Sequence, residues 1–236
     1  MASNSYSGMF NVTETKSLHY VFIESLNNAT TDPVLLWSNG GPGCSSLLGL
    51  FAENGPYILD NNDMTCKENP YTWNQNASLL YIESPAGVGF SRAGTEEDFA
   101  QNDMTQSEDL FKAVEMFFAA YPERQANDFY LSGESYAGIY LPYLAWQLYQ
   151  SNLQYNISNA GNVTTPVGTF YNFKGMAVGN GATDWDFDNA PSVPQTMWGF
   201  NMIDTANYTA YNSNGCVDYF NGVRPSIGSA SCPNIT

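Results

Sequence analysis

The segment Gly133-Glu134-Ser135-Tyr136-Ala137-Gly138 sets a serine between an apolar run at 129–131 and a helical pattern that starts near Ile139. We read it as a nucleophile elbow of the G-x-S-x-G type. Such a strand-to-helix turn holds its serine in strained backbone geometry. The hydroxyl then stands at the positive end of the following helix, where an oxyanion is stabilised. A second candidate is the glycine-rich loop Trp37-Ser38-Asn39-Gly40-Gly41-Pro42-Gly43-Cys44-Ser45-Ser46, which follows an apolar run at 34–37. Glycine and proline also make ordinary tight turns. A phosphate loop is ruled out because no G-K-[ST] follows. A loop in this place can donate a backbone N–H to an oxyanion, and Gly-Gly leaves its amides unshielded by side chains. Two such signatures in this order outweigh the turn reading.

The elements that must position these residues are legible as apolar runs at 20–23, 34–37, 79–82, 129–131 and 176–178, each read as a strand. Between the last three lie two helical patterns. Leu110, Phe111, Val114, Phe117, Phe118 and Tyr121 recur at helical spacing and predict one apolar face. Thr105 with Glu108 reads as a capping box at its start, and Pro122 as its stop. A second helix is expected after Ser135, carrying Ile139, Tyr143, Trp146 and Leu148. This alternation predicts an α/β fold, a mostly parallel central sheet with helices on both faces. After Gly181 the rhythm fails. We therefore expect residues 1–181 to form the N-terminal part of a sheet-based core, and 182–236 the start of a cap or insertion.

Composition narrows the function classes. The chain has 236 residues, 43% hydrophobic and 15% aromatic, enough for a sizeable core. Lys plus Arg number 7 against 23 Asp plus Glu, a net charge of −16, which disfavours nucleic acid and anionic membranes as partners. No apolar run is long enough to span a bilayer. Met1–Phe10 shows no secretion signal, and we expect that one was removed from a mature or recombinant start. Sequons begin at Asn11, Asn28, Asn76, Asn156, Asn162, Asn207 and Asn234, which suggests a glycoprotein of the secretory pathway. The cysteines Cys44, Cys66, Cys216 and Cys232 allow three full pairings, and disulfides suit that pathway better than free thiols. No Cys/His spacing suits a metal, and no cofactor is implied.

Taken together, four segments resemble the serine carboxypeptidase family of α/β-hydrolases: WSNGGPGCSS at 37–46, NPYTWNQNASLLYIESPAGVGFS at 69–91, SGESYAGIYLP at 132–142 and AVGNGATD at 177–184. The resemblance runs from about Tyr6 to Tyr219. It implies an α/β-hydrolase fold and a lysosomal, vacuolar or extracellular peptidase. Ser135 would attack the last peptide bond, and the N–H groups of Gly41 and Tyr136 would hold the oxyanion. Asn39, Gly40, Glu53 and Glu134 would recognise the free C-terminal carboxylate of a peptide substrate; Glu53 stands in FAENGPY, similar to the family's Glu-x-Gly-Pro. Reading a carboxylate with carboxyl groups requires a shared proton, so binding is expected to favour acid pH.

A serine also needs a base, which in this fold follows the acid late in the chain. The sole histidine, His19, precedes Ser135 and is read as structural. The resemblance implies that the Asp and His lie in a further segment or second chain, so residues 1–236 alone are expected to be inactive. A proteolytic chain and a shortened product both fit. The family counterpart of Cys44 bonds a cysteine further along, which leaves Cys216–Cys232 as the expected internal pair and Cys66 unassigned. Two rival functions stand beside the peptidase. Related acyltransferases use the same triad but alter positions 39 and 134, which here keep the peptidase form. A truncated homologue serving as a non-catalytic binding subunit is the other.

Overall fold

Period-two alternation sorts the apolar side chains of each strand onto two faces, and the computed structural model buries apolar side chains on both, although Tyr130 remains exposed. It describes residues 3–60, 65–160, 168–184 and 192–214. Nine strands occur among them: β1 (Ser5–Asn11), β2 (Lys16–Ile23), β3 (Val34–Ser38), β4 (Tyr57–Asp60), β5 (Thr65–Glu68), β6 (Ser78–Ile82), β7 (Arg92–Ala93), β8 (Phe129–Glu134) and β9 (Phe173–Gly179). The main sheet has the order β1-β2-β6-β3-β8-β9, with β7 paired to β2. The pairs β6–β3, β3–β8 and β8–β9 are parallel, whereas β1, β2 and β7 pair antiparallel. The fold is thus α/β with a mixed, mostly parallel sheet, as expected. The strands at 20–23, 34–37, 79–82, 129–131 and 176–178 are all present, each longer than expected by one to four residues.

Two long helices pack against the sheet. α1 (Asp103–Ala120) and α2 (Ala137–Ala160) flank β8 in the chain. Leu36, Leu80, Ile82, Phe129 and Leu131 of the sheet pack in one buried cluster with Leu110, Val114 and Phe117 of α1 and Leu141, Leu144 and Leu148 of α2. The opposite face carries a smaller cluster of Ile23, Trp37, Leu79 and Tyr81, closed by Leu50 from the π-helical turn Gly49–Glu53.

Three local readings change. The capping box of α1 is Asn102 with Thr105, one turn earlier than Thr105 with Glu108: the Asn102 side chain accepts from the Met104 and Thr105 amides at 3.0 Å, and Thr105 Oγ1 accepts from the Asn102 amide at 3.0 Å. Asparagine is as good an N-cap as serine or threonine. On α2, Leu148 is buried as expected, but Tyr143 and Trp146 lie exposed, and Tyr140, Leu141 and Leu144 face the core in their place. The β1–β2 hairpin was not anticipated, because Ser5–Asn11 alternates weakly and buries only Phe10 fully.

The chain divides into two units, residues 1–181 and 182–236. In the second, α3 (Ser192–Gly199) and α4 (Thr205–Ser213) form where the sequence rhythm fails. Asp204 caps α4 by accepting from the Asn207 amide at 2.7 Å, and Trp198 stacks on Tyr208 with centroids 4.6 Å apart. No helix among the described residues is long and apolar enough to cross a membrane. Asn11, Asn28, Asn76, Asn156 and Asn207 are exposed, whereas Asn162, Asn234, Cys216 and Cys232 lie outside the described residues; Cys44 and Cys66 are exposed and form no disulfide among the described residues.

Candidate active site

Parallel pairing of β3 with β8 brings Ser38 opposite Gly133, so the glycine-rich loop and the elbow leave the sheet side by side. The chain reaches β6 on one side of β3 and β8 on the other. Crevices at such switch points, outside the carboxyl ends of the strands, are where open α/β sheets hold their ligands.

Ser135 is exposed at the turn from β8 into α2, with φ of 57°. A left-handed backbone is costly for serine and persists only where its surroundings enforce it. Here the Ser135 amide donates to the Gly179 carbonyl at 3.0 Å, and its own carbonyl accepts from the Gly138 amide at 2.9 Å. The segment departs from a strict G-x-S-x-G, because Ala137 stands where the second glycine would be. Ala137 is fully buried, and a Cβ at Gly133 would fall 2.7 Å from the Ala137 Cβ and 2.3 Å from the Ser38 carbonyl oxygen. The alanine fits because position 133 has no side chain.

Gly40 makes the corresponding close approach from the other loop. A Cβ there would lie 2.4 Å from the Tyr136 nitrogen and 2.8 Å from the Ser135 Cβ. Gly41 follows with φ of 118°, a conformation that L side chains rarely adopt. Gly41 and Tyr136, the residues expected to hold an oxyanion, thus come from two backbones in contact beside Ser135.

Asn39 is the hub of the polar groups. Its Oδ1 accepts from Trp37 Nε1 at 3.0 Å and from the Gly49 amide at 2.9 Å, which fixes the orientation of the side-chain amide. Its Nδ2 then donates to Glu53 Oε1 at 2.8 Å and to Glu134 Oε1 at 3.0 Å. Asn39 is buried, Glu134 half-buried and Glu53 exposed. Glu53 ends the π-helical turn, and the buried Asn54 beside it anchors that turn through its amide on the Gly49 carbonyl and its Oδ1 on Tyr81 Oη at 2.7 Å. Burial, and then the charge of Glu53, push the Tyr81 phenol well above its ordinary range, so it stays a donor. Asn39, Gly40, Glu53, Glu134 and Ser135 therefore converge, although they come from three separate stretches of chain.

His19 does not join them. It lies on β2, three strands from β8, about 14 Å at normal strand spacing. Its Nδ1 is 2.9 Å from Oε2 of the buried Glu83, which also accepts from Ser45 Oγ and from the Phe90 amide at 2.9 Å. Sequence reasoning missed Trp37 and Gly49 as the groups that orient Asn39, and Asp103, to which Tyr136 Oη donates at 3.1 Å. Asp103 was overlooked because the helix was started at Thr105; recognising Asn102 as the cap would have placed an acid in its first turn.

A mixed, mostly parallel sheet with a strained serine on the turn from a strand into a helix defines an α/β-hydrolase. Residues 1–230 match the sequence model described as serine carboxypeptidase, and the chain belongs to that family. It is 38% identical over 211 residues to the lysosomal protective protein of Mus musculus, covering 89% of this chain and 40% of that one. It is 38% identical over 234 residues to carboxypeptidase Y of Komagataella phaffii, covering 97% of this chain and 43% of that one. Among solved structures it superposes on a prohormone-processing carboxypeptidase, Kex1, of Saccharomyces cerevisiae with a TM-score of 0.71, covering 93% of this chain and 48% of that one at 23% identity. That likeness is one of fold. The chain spans about two fifths of the length of these two curated relatives.

Proposed function

We propose that this chain is the serine-bearing part of a serine-type carboxypeptidase that removes C-terminal residues from peptides. The observation that carries the reading is the Asn39 amide, which joins Glu53 and Glu134 directly beside Ser135. A terminal carboxylate docked on Asn39, Gly40 and a carboxyl that holds a proton sets the last peptide bond over Ser135. Ser135 Oγ gives its proton to the base as it bonds to the scissile carbonyl carbon, and the backbone N–H groups of Gly41 and Tyr136 hold the oxyanion. The C–N bond then breaks, the departing amine takes a proton from the base, and water hydrolyses the acyl-enzyme. An Asp and a His to act as that base come, in this proposal, from outside residues 1–236, on a further segment or a second chain.

Ionised together, Glu53 and Glu134 would repel a substrate carboxylate, so binding strengthens at acid pH. Location in the secretory pathway fits this chemistry and the exposed sequon asparagines, whose glycosylation is part of the proposal. The test uses the protein expressed from its complete gene. A fluorophosphonate probe should label it, and Ser135→Ala should abolish the labelling. Peptides ending in a free acid should be cleaved better than their amides, with KM for the acids rising as pH rises. Glu134→Gln, a donor that needs no proton, should flatten that rise. Equal cleavage of acids and amides at every pH would remove the carboxylate-reading role.

A further inference from the structure

Glu83 directly follows β6 and is only 1% exposed. Its backbone is fixed on both sides, the amide donating to the His19 carbonyl at 2.9 Å and the carbonyl accepting from Ser91 Oγ at 2.6 Å. Its carboxyl gathers three groups from three stretches of chain. His19 Nδ1 on β2 lies 2.9 Å from Oε2, the Phe90 amide donates to the same oxygen at 2.9 Å, and Ser45 Oγ donates to Oε1. A Cβ at Gly89 would overlap this carboxyl, so the loop after β6 closes over it only because position 89 has no side chain. A buried carboxyl bonded in this way cannot shift without leaving a partner unsatisfied.

Of the three, Ser45 belongs to the glycine-rich loop. Residues 40–45 form a tight turn there. The Cys44 amide donates to the Gly40 carbonyl at 3.1 Å, and a Cβ at Gly41 would lie 2.7 Å from the Gly43 nitrogen. Among the described residues, two hydrogen bonds reach this turn from other elements: the Gly43 amide donates to Tyr140 Oη at 3.2 Å, and Ser45 Oγ to Glu83. The carboxylate-reading end of the loop is held separately. The Asn39 backbone amide donates to Ser46 Oγ at 3.4 Å, and Trp37 and Gly49 fix the Asn39 side chain. Releasing Ser45 therefore loosens the turn that carries Gly41 and leaves Asn39 in place.

We propose that Glu83 is a positioning residue, which through Ser45 sets the Gly41 N–H where the oxyanion forms. The inference rests on the carboxypeptidase reading above, which gives Gly41 its role. A buried carboxyl that only stabilised the core would weaken carboxylate binding and chemistry together.

The mildest perturbation is Ser45→Ala, which leaves Glu83 its bonds to His19 and Phe90. On the protein expressed from its complete gene, three quantities are measured: the second-order rate of fluorophosphonate labelling at Ser135, kcat on a free-acid peptide, and Ki for an N-acyl amino acid that competes through its carboxylate. Ser45→Ala should slow labelling and kcat about tenfold, part of the roughly 100- to 1,000-fold that a whole oxyanion donor is worth, and leave Ki within about twofold. Ser45→Thr keeps the hydroxyl and should recover most of the rate. Glu83→Asp draws the carboxyl back by one methylene and should slow labelling in the same way. Added to Ser45→Ala it should bring little further loss, because the two act along one path. If Glu83→Asp does not fold, the Ser45 variants decide alone. Labelling of Ser45→Ala at the wild-type rate, no recovery in Ser45→Thr, or a Ki weakened as much as labelling overturns the role of Glu83 and leaves the carboxypeptidase reading intact. Wild-type protein that labels at Ser135 yet cleaves no free-acid peptide removes both.

Discussion

Gly40→Ala tests whether the two loops beside Ser135 must touch. The added Cβ would meet the Tyr136 nitrogen at 2.4 Å, the Ser135 Cβ at 2.8 Å and the Glu134 carbonyl oxygen at 2.9 Å. Side-chain Cβ atoms essentially never come closer than 3.0 Å, and all three neighbours belong to the elbow's own backbone or first side-chain atom. None can swing aside as the end of a long side chain would, so the loops must separate by about 0.6 Å or more. Overpacking of this kind costs about 1–3 kcal/mol of stability. The separation acts where the proposed oxyanion donors Gly41 and Tyr136 have to converge. A misplacement approaching 1 Å costs on the order of 100-fold in rate. The assay is the second-order rate of fluorophosphonate labelling at Ser135, with thermal unfolding measured in parallel, on the protein expressed from its complete gene. We expect a modest loss of stability and a loss of labelling rate of about two orders of magnitude. A variant that folds with unchanged Tm and labels at the wild-type rate would show that the close approach of Gly40 to the elbow is not required.

Two further outcomes follow from other parts of the molecule. Residues 1–236 expressed alone should turn over no peptide, since their one histidine is bound to Glu83 on the far side of β3; turnover that Ser135→Ala abolishes would reveal another base. Asp32 accepts from Ser25 Oγ at 2.6 Å and from the Asn28 amide at 2.9 Å, and these bonds, that of Ser25 first, hold its carboxyl below the ordinary value of 3.8. A carboxyl lowered in the folded state adds stability that is present above its unfolded value and is lost as pH falls through its folded one. Asp32→Asn should therefore lower Tm near neutral pH, with the gap to wild type closing below about pH 4; a gap that does not change with pH would contradict that account.

Much of this protein is written locally. The apolar runs at 34–37 and 79–82 alternate between two covered faces, whereas 129–131 buries Phe129 and Leu131 on one face and leaves Tyr130 exposed on the other. The turn at Ser135 is legible for the same reason, since it joins a short apolar run to a helical period. Resemblance then supplied the roles of Asn39, Gly40, Gly41, Glu53, Glu134 and Tyr136, which no periodicity could have assigned. Where local signals compete, the reading slipped: Asn102 and Thr105 both resemble caps, and only the formed helix selects between them. On α2, Trp146 and Tyr143 carry large hydrophobic rings at helical spacing, but the sheet covers just one side of the helix. What the tertiary structure alone decided is the meeting of distant groups. Asn39 bonds Glu53 and Glu134 across separations of 14 and 95 residues, and Tyr136 reaches Asp103 across 33. The bond from Asn39 to Glu134 exists because β3 and β8 are neighbours in the sheet, with β6 on the other side of β3. Strand order is set by the packing of the whole core, so it leaves no mark in any short stretch of chain.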